Sequence, residues 1–276
     1  MIKSHNRILL TGAAGGLGKV LRESLQANCN VLRVSDIAQL DDFALLTAST
    51  AAQNNIEVVP ADLADKAAVH ALLAGVDAVV HMGGVSTERP FDEILPANIV
   101  GVYNLYEAAR KQGVKRIVFA SSNHVTGFYK QSETIDATAA PRPDGWYGIS
   151  KAFGEDVSRF YYDRYGIETA CIRIGSSFPA PKDRRMLASY LSYDDLHRLV
   201  TACLSTPALG HSIVFGMSNN AVTWWDNRCA KHVGYVAKDS SDSFREAVYA
   251  ATQAPDLTDL AAMYQGGGFV KVPPFE

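Results

Sequence analysis

Tyr147 and Lys151 stand four residues apart in the stretch DGWYGISKAFGE, residues 144–155. On a helix, positions i and i+4 share one face, so a phenol and an ammonium would converge there. An ammonium beside a phenol favours the phenolate and draws its pKa down from roughly 10, which makes a general base workable near neutrality. A surface pair also falls at this spacing by chance, and the rest of the chain has to decide. Ser122 offers a hydroxyl 25 residues before Tyr147, in FASSNHVTG, with Asn123 and His124 next to it. Hydroxyl, phenol and lysine together suit removal of a proton from an alcohol whose oxygen is held in place.

A second constellation lies near the N-terminus. In RILLTGAAGGLGKVL, Gly12, Gly15 and Gly18 fall three apart, with Leu17 among them, where an apolar run gives way to a helical pattern. Glycines there let the backbone turn tightly and approach a pyrophosphate seated on the helix N-terminus. A glycine triplet alone marks many turns. Asp36, at the end of the next apolar run, supplies a carboxylate for the adenosine ribose and repels a 2′-phosphate, and Ile37 follows it where an arginine would favour NADP. By itself Asp36 reads as a strand-end cap; with the glycines it points to NAD. ADLAD offers Asp62 toward the adenine, with Leu63 beside it, and HMGGVS offers Met82 and close backbone approach at Gly83 and Gly84.

The elements that must position these residues are legible as a rhythm. RILLTG, NVLRVSD, IEVVPAD, DAVVHMGG, KRIVFASS and ETACIRIG are short runs rich in Val and Ile, the pattern of strands buried on both faces. GKVLRESLQA, DKAAVHALLAG and IVGVYNLYEAARKQG between them carry helical periodicity. Alternation of this kind predicts an α/β fold, a Rossmann-like doubly wound parallel sheet, with its ligands in the crevice at the strands' carboxyl ends. We expect an NAD-binding domain with the catalytic residues over 1–175 and a small substrate-binding lobe over 176–276, Trp224 and Trp225 in its core. In the second half, YDDLHRLVTACLS and DSFREAVYAATQ read as helices and SIVFGMS as a strand.

Composition narrows the function classes. The 276 residues are 47% hydrophobic and 20% charged with a formal net charge of −3, an ordinary globule without the basic footprint of a nucleic-acid or membrane-surface binder. The four cysteines and seven histidines show no metal-ligand spacing, so no metal is expected, and reduced thiols fit a cytoplasmic location. No signal peptide or membrane span is expected. A homo-oligomer is left open.

The set TGAAGGLG, Asp36, ADL, Asn98, the serine pair at 121–122 and YGISK resembles the extended short-chain dehydrogenase/reductases over about residues 7–175. HMGGVSTERPF, FASSNHVTG, RPDGWYGISK, RIGSSFP and QGGGFV are similar to the uronate dehydrogenases within that family. The resemblance implies NAD-dependent oxidation of the anomeric carbon of galacturonate or glucuronate to an aldarolactone. It implies Tyr147 as base, Lys151 as its partner and a ribose contact, and Ser122 holding the substrate oxygen. It implies Ser86, Asn123, Ser176 and His124 along the sugar, Arg185 on the carboxylate, and Asn98 in the cofactor region. Each has a plainer reading: Ser86, Asn123 and Ser176 as loop residues satisfying backbone groups, His124 as a satisfied loop histidine, Asn98 as a buried structural amide, Arg185 as a solvated cation. Lys182 and Arg184 rival Arg185 for the carboxylate. Two other functions stay open. A nucleotide-sugar epimerase or dehydratase on the same scaffold would need more chain after Gly175, and a dehydratase an acid pair beside Ser122. A non-catalytic NAD sensor need not keep Tyr147, Lys151 and Ser122.

Overall fold

The computed structural model describes residues 5–40 and 55–273. Strands β1 (His5–Thr11), β2 (Cys29–Ser35), β3 (Ile56–Val58), β4 (Ala78–His81), β5 (Arg116–Ser122), β7 (Glu168–Ile174) and β8 (His211–Gly216) form one sheet in the order β3-β2-β1-β4-β5-β7-β8. All neighbours are parallel; Leu9 faces Arg33 on β2 and Val79 on β4, and Cys171 faces Ile213. Ile8, Leu9 and Leu10 of β1 are inaccessible to solvent in succession, as a sheet covered on both faces requires; β3, at the sheet edge, departs from that expectation, with Ile56 only partly buried and Val58 exposed.

Helices α1 (Gly16–Asn28), α2 (Lys66–Leu72), α3 (Phe91–Ile94), α4 (Gly101–Gln112), α5 (Trp146–Tyr165), α6 (Met186–Ser189) and α7 (Tyr193–Ser205) supply that cover. Leu21 and Leu25 of α1 and Leu196, Leu199 and Cys203 of α7 share one core. Val69, Leu105, Ala109 and Tyr161, from α2, α4 and α5, share the core of the opposite face. Between α3 and α4 the chain widens into a π-helical turn, Leu95–Val100, that holds Asn98. Such turns recur at functional sites, and nothing in the residue pattern announces this one.

The division expected at residue 175 meets a sheet that continues beyond it. Strand β8 hydrogen-bonds to the free edge of β7, and α7 packs on α1, so residues 176–276 supply sheet as well as lobe. The remainder includes a two-stranded ribbon of β6 (Ile135–Asp136) and β9 (Trp225–Asp226), helices α8 (Arg245–Ala251) and α9 (Leu260–Met263), and 3-10 turns at Arg228–Val233, Ser241–Phe244 and Gly267–Lys271. Trp224 and Trp225 pack there with Ile135, Ala188 and Phe215 as a third core. Among the described residues no helix is long and apolar enough to cross a membrane.

Candidate active site

At the carboxyl ends of the strands lies a cavity of about 1010 Å³ whose walls include Gly12, Gly15, Leu17, Gly18, Asp36, Asp62, Leu63, Met82 and Gly83. Gly12 has φ +69°, and a Cβ on it would lie 2.5 Å from the Gly83 nitrogen, so the first and fourth strand loops pack backbone to backbone. A Cβ on Gly18 would run into the Gly12 carbonyl. Helix α1 therefore starts hard against the loop, and no side chain caps its first N–H groups, which leaves an uncapped positive helix end at the wall. Asp36 Oδ2 accepts from Ala14 N at 2.9 Å and Oδ1 from Ala38 N at 3.0 Å. The carboxylate does cap its strand end, and those two bonds pin it beside the glycine loop with lone pairs to spare. An uncapped helix N-terminus, side-chain-free loops and a fixed carboxylate fit a dinucleotide.

The middle of the cavity holds Ser122, Tyr147 and Lys151. Helix α5 presents Tyr147, Lys151, Glu155 and Ser158 on its buried face, polar where a core helix is normally apolar. Each has its partner. Lys151 Nζ donates to the Ala120 carbonyl at 2.7 Å and stands 5.6 Å from the centre of the Tyr147 ring. Glu155 accepts from Ser121 Oγ at 2.6 Å and from Arg173 Nε and Nη2 at 2.9 and 2.8 Å. Burial pulls the Lys151 ammonium down to about 8. Burial pushes the Tyr147 phenol up to about 12; a hydrogen bond from Ser122 pulls the other way, and the charge of Asp144 adds to the rise. The depression expected from the spacing with Lys151 is not seen: loss of hydration dominates, and the Ser122 hydrogen bond is the one contribution that lowers the phenol.

Asn98 stands directly behind the cavity wall at Gly84, where a Cβ would lie 2.6 Å from its Oδ1. It lies outside the cavity wall, and its amide is spent on the fourth-strand loop and on α5: Oδ1 accepts from Val85 N (2.8 Å) while Nδ2 donates to Val85 O (2.9 Å) and Ser150 Oγ (3.0 Å). It is a buried structural amide that ties two walls together.

The far end gathers Ser86, Asn123, His124, Ser176 and Arg185. With the Asn123 amide oriented so that both of its ends are satisfied, it donates to the Ile174 carbonyl at 3.0 Å and accepts from Arg185 Nη2 at 3.2 Å. Ser176 Oγ pairs with Ser189 Oγ at 2.9 Å. Arg185 Nε donates to the Gln265 carbonyl at 2.8 Å, and Nη2 reaches the same oxygen. The rivals point elsewhere: Arg184 donates to Thr252 and lies over the Tyr249 ring, and Lys182 lies over Phe178.

Four further residues brace the site. Asp144 bonds His124 at 2.7 Å. Glu88 accepts from Trp146 N and Tyr147 N at 2.8 and 2.9 Å, capping the helix of the base from the loop that carries Ser86. Phe269 lines the cavity and stacks on His124. Gln265, fully buried, anchors the segment before it, donating to Lys130 O and Glu133 O at 3.0 and 2.9 Å and accepting from Trp225 Nε1 at 2.9 Å. Their only sequence signal is membership in RPDGWYGISK, GGVSTERPF and QGGGFV.

A parallel sheet with a glycine-loop nucleotide site and a Ser, Tyr and Lys cluster over its carboxyl edge is the arrangement of nicotinamide-dependent enzymes acting on alcohols. The chain belongs to the NAD dependent epimerase/dehydratase family, whose model matches residues 8–192. It is 60% identical over 270 residues to a uronate dehydrogenase of Pseudomonas putida, covering 98% of this chain and 97% of that protein. Its structure is similar to the crystal structure of uronate dehydrogenase from Agrobacterium tumefaciens, with a TM-score of 0.92, 46% identity and 99% of each chain covered. A glucuronic acid dehydrogenase from Chromohalobacter salexigens follows at a TM-score of 0.91, 48% identity and 97% of each chain.

Proposed function

We propose that this protein is an NAD-dependent uronate dehydrogenase, oxidising the C1 hydroxyl of a cyclic hexuronic acid such as galacturonate or glucuronate to the aldarolactone. One observation carries the reading: a single cavity joins the glycine loop and Asp36 to Tyr147, Lys151 and Ser122, and these to Arg185. Full-length similarity to uronate dehydrogenases supports it.

Bound NAD supplies the hydride acceptor; the chain supplies position, charge and the proton site. Gly12, Gly15, Leu17 and Gly18 would hold its pyrophosphate end, Asp36 the adenosine ribose, Asp62, Leu63, Met82 and Gly83 the adenine side. Lys151 spends one proton on Ala120 O and keeps two for a ribose hydroxyl. Ser122 fixes the substrate oxygen and favours the phenolate, and Tyr147 takes the C1 hydroxyl proton. Loss of that proton and of a hydride from C1 turns the hemiacetal into a lactone. Arg185 pairs with the C6 carboxylate, with Asn123, Ser86, Ser176 and His124 along the sugar. The lobe that holds Arg185 and Phe269 is the part of the chain that selects the substrate.

We place the enzyme in the cytoplasm, a reading supported by the buried thiols of Cys171 and Cys203. Phe91, Tyr103, Trp146 and Ile149 are exposed on α3, α4 and α5, which supports self-association; sedimentation showing only monomer across concentrations would sink that part. NADH absorbance with galacturonate, glucuronate and UDP-glucose tests the activity. Reduction of NAD with the free uronates alone is the expected result; turnover only with the nucleotide sugar would reassign the enzyme.

A further inference from the structure

The imidazole of His124 is held on three sides in the wall of the cavity. Its Nδ1 lies 2.7 Å from Asp144 Oδ2. Its face stacks on Phe269 with centroids 3.8 Å apart, and it meets the Tyr147 ring edge-on at 5.7 Å. Its Nε2 has no hydrogen-bond partner among the described residues and is not sealed from solvent. The ring therefore offers one nitrogen to the protein and one to the cavity.

Asp144 is placed with unusual care for a carboxylate. Its side chain has no exposed surface. Gly127 and Gly266 pack directly against it, and a Cβ on either would strike Oδ2. Its Oδ1 is buried with no partner. Among the described residues the His124 ring is the one hydrogen-bond donor to this carboxylate.

A buried carboxylate accepts only, and leaving it without a donor is costly, so the shared proton sits on Nδ1. A neutral imidazole protonated at Nδ1 is bare at Nε2 and can only accept there. We propose that Asp144 is a positioning residue: it fixes His124 as the Nδ1–H tautomer and so presents an Nε2 acceptor to a hydroxyl of the sugar acid. The inference rests on the reading above that His124 meets the substrate. It adds to that reading the polarity of the contact. Arg185 is a pure donor, matched to a carboxylate, whereas His124 is an acceptor, matched to a hydroxyl. A ligand with hydrogen or an ether at that position loses the bond and leaves Nε2 unpaired.

Long-range proton–nitrogen correlation on the full chain labelled with nitrogen-15 histidine reads the tautomer directly. Signals lost in His124→Gln identify the ring. The native protein, without NAD or substrate, should show a protonated Nδ1 and a bare Nε2, and Asp144→Ala should bring in the Nε2–H form. Asp144→Asn keeps the volume and removes the charge. It should raise KM for the uronate roughly ten-fold or more, the scale of a charge-assisted bond, while the Kd for NAD stays native. An Nε2 that carries a proton in the native protein at the pH of turnover, alone or as imidazolium, overturns the proposal, as does a native KM in Asp144→Asn. If Asp144→Ala fails to fold, the native tautomer and the Asn variant still decide. A protein that oxidises no uronate yet shows Nδ1–H would overturn the substrate reading and uphold the role of Asp144, so the two fail separately.

Discussion

At the scale of single residues, the phenol of Tyr147 is the group on which the proposed chemistry turns. Burial holds it up at about 12, and the Ser122 hydrogen bond is what lowers it. A base raised above the working pH is more fully ionised as pH rises, so kcat/KM should climb with pH across the neutral range. Ser122→Ala removes the lowering contribution, which moves the rising limb to higher pH and reduces turnover at any fixed neutral pH. A pH–rate profile checks this; an unmoved limb would show that Ser122 does not tune the phenol. Tyr147→Phe should lose turnover by roughly 10² or more, the scale of a lost general base, while NAD binding followed by fluorescence persists. Arg185 donates to the Gln265 carbonyl, and the function proposed above gives it the uronate carboxylate as a second task. Arg185→Ala should therefore raise KM steeply, erase the preference for a uronate over the matching aldose and also lower kcat, since Phe269 follows on the segment it tethers. Arg184→Ala, whose guanidinium holds Thr252, should keep the preference. The reverse pattern, measured with galacturonate against galactose, would move the clamp to Arg184.

At the scale of elements, α5 is held by polar contacts on the face it buries. Glu155 sits one turn beyond Lys151 and binds Arg173 of β7 and Ser121 of β5, with Glu155 and Arg173 5% and 1% exposed. Breaking such a pair strands a buried charge and costs about 3–5 kcal/mol. Glu155→Ala should show that loss in urea unfolding, whereas an unchanged midpoint would mean that water compensates Arg173. A second brace joins β1 to β4, where Thr11 Oγ1 and His81 Nδ1 are 2.7 Å apart. Burial first, and the charge of Lys151 second, hold His81 down to about 3 from its usual 6.5. Between these values the unfolded chain binds a proton that the folded chain does not, so the protein loses stability as pH falls from 6.5 toward 3. His81→Gln should be less stable at pH 7 yet lose less on acidification to pH 5, as thermal melts at both values will show.

At the scale of the whole molecule, the cavity is walled by segments far apart in the chain, from the glycine loop through Asp36, Met82, Ser122, Tyr147 and Arg185 to Phe269, so a ligand filling it should stabilise the fold as one unit. At a hundred times its Kd, NAD should add about 2.7 kcal/mol and raise Tm, with NADP doing far less because Asp36 opposes a 2′-phosphate. Asp36→Ala should narrow that difference. Equal shifts with both cofactors in the native protein would show that Asp36 does not select. Much of this architecture was legible in the residues alone. The doubly buried strands and the glycine turn are local patterns, with periods of a few residues and a steric need that only glycine meets, so Gly12, Gly15, Gly18 and Asp36 could be read directly. The Tyr147 and Lys151 pair was legible because helical spacing is itself a geometry. Other facts depend on partners far apart in the chain. Glu88 reaches the amides of 146 and 147, His124 meets Phe269, Arg185 holds Gln265, and Asn98 is spent on Val85 and Ser150. No spacing rule records those meetings. The return of β8 to the sheet edge, the π-turn around Asn98 and the burial that lifts the Tyr147 phenol belong with them. Burial and hydrogen bonding between distant segments arise only once the whole chain has closed, so tertiary structure alone decided how these side chains are charged, partnered and aimed.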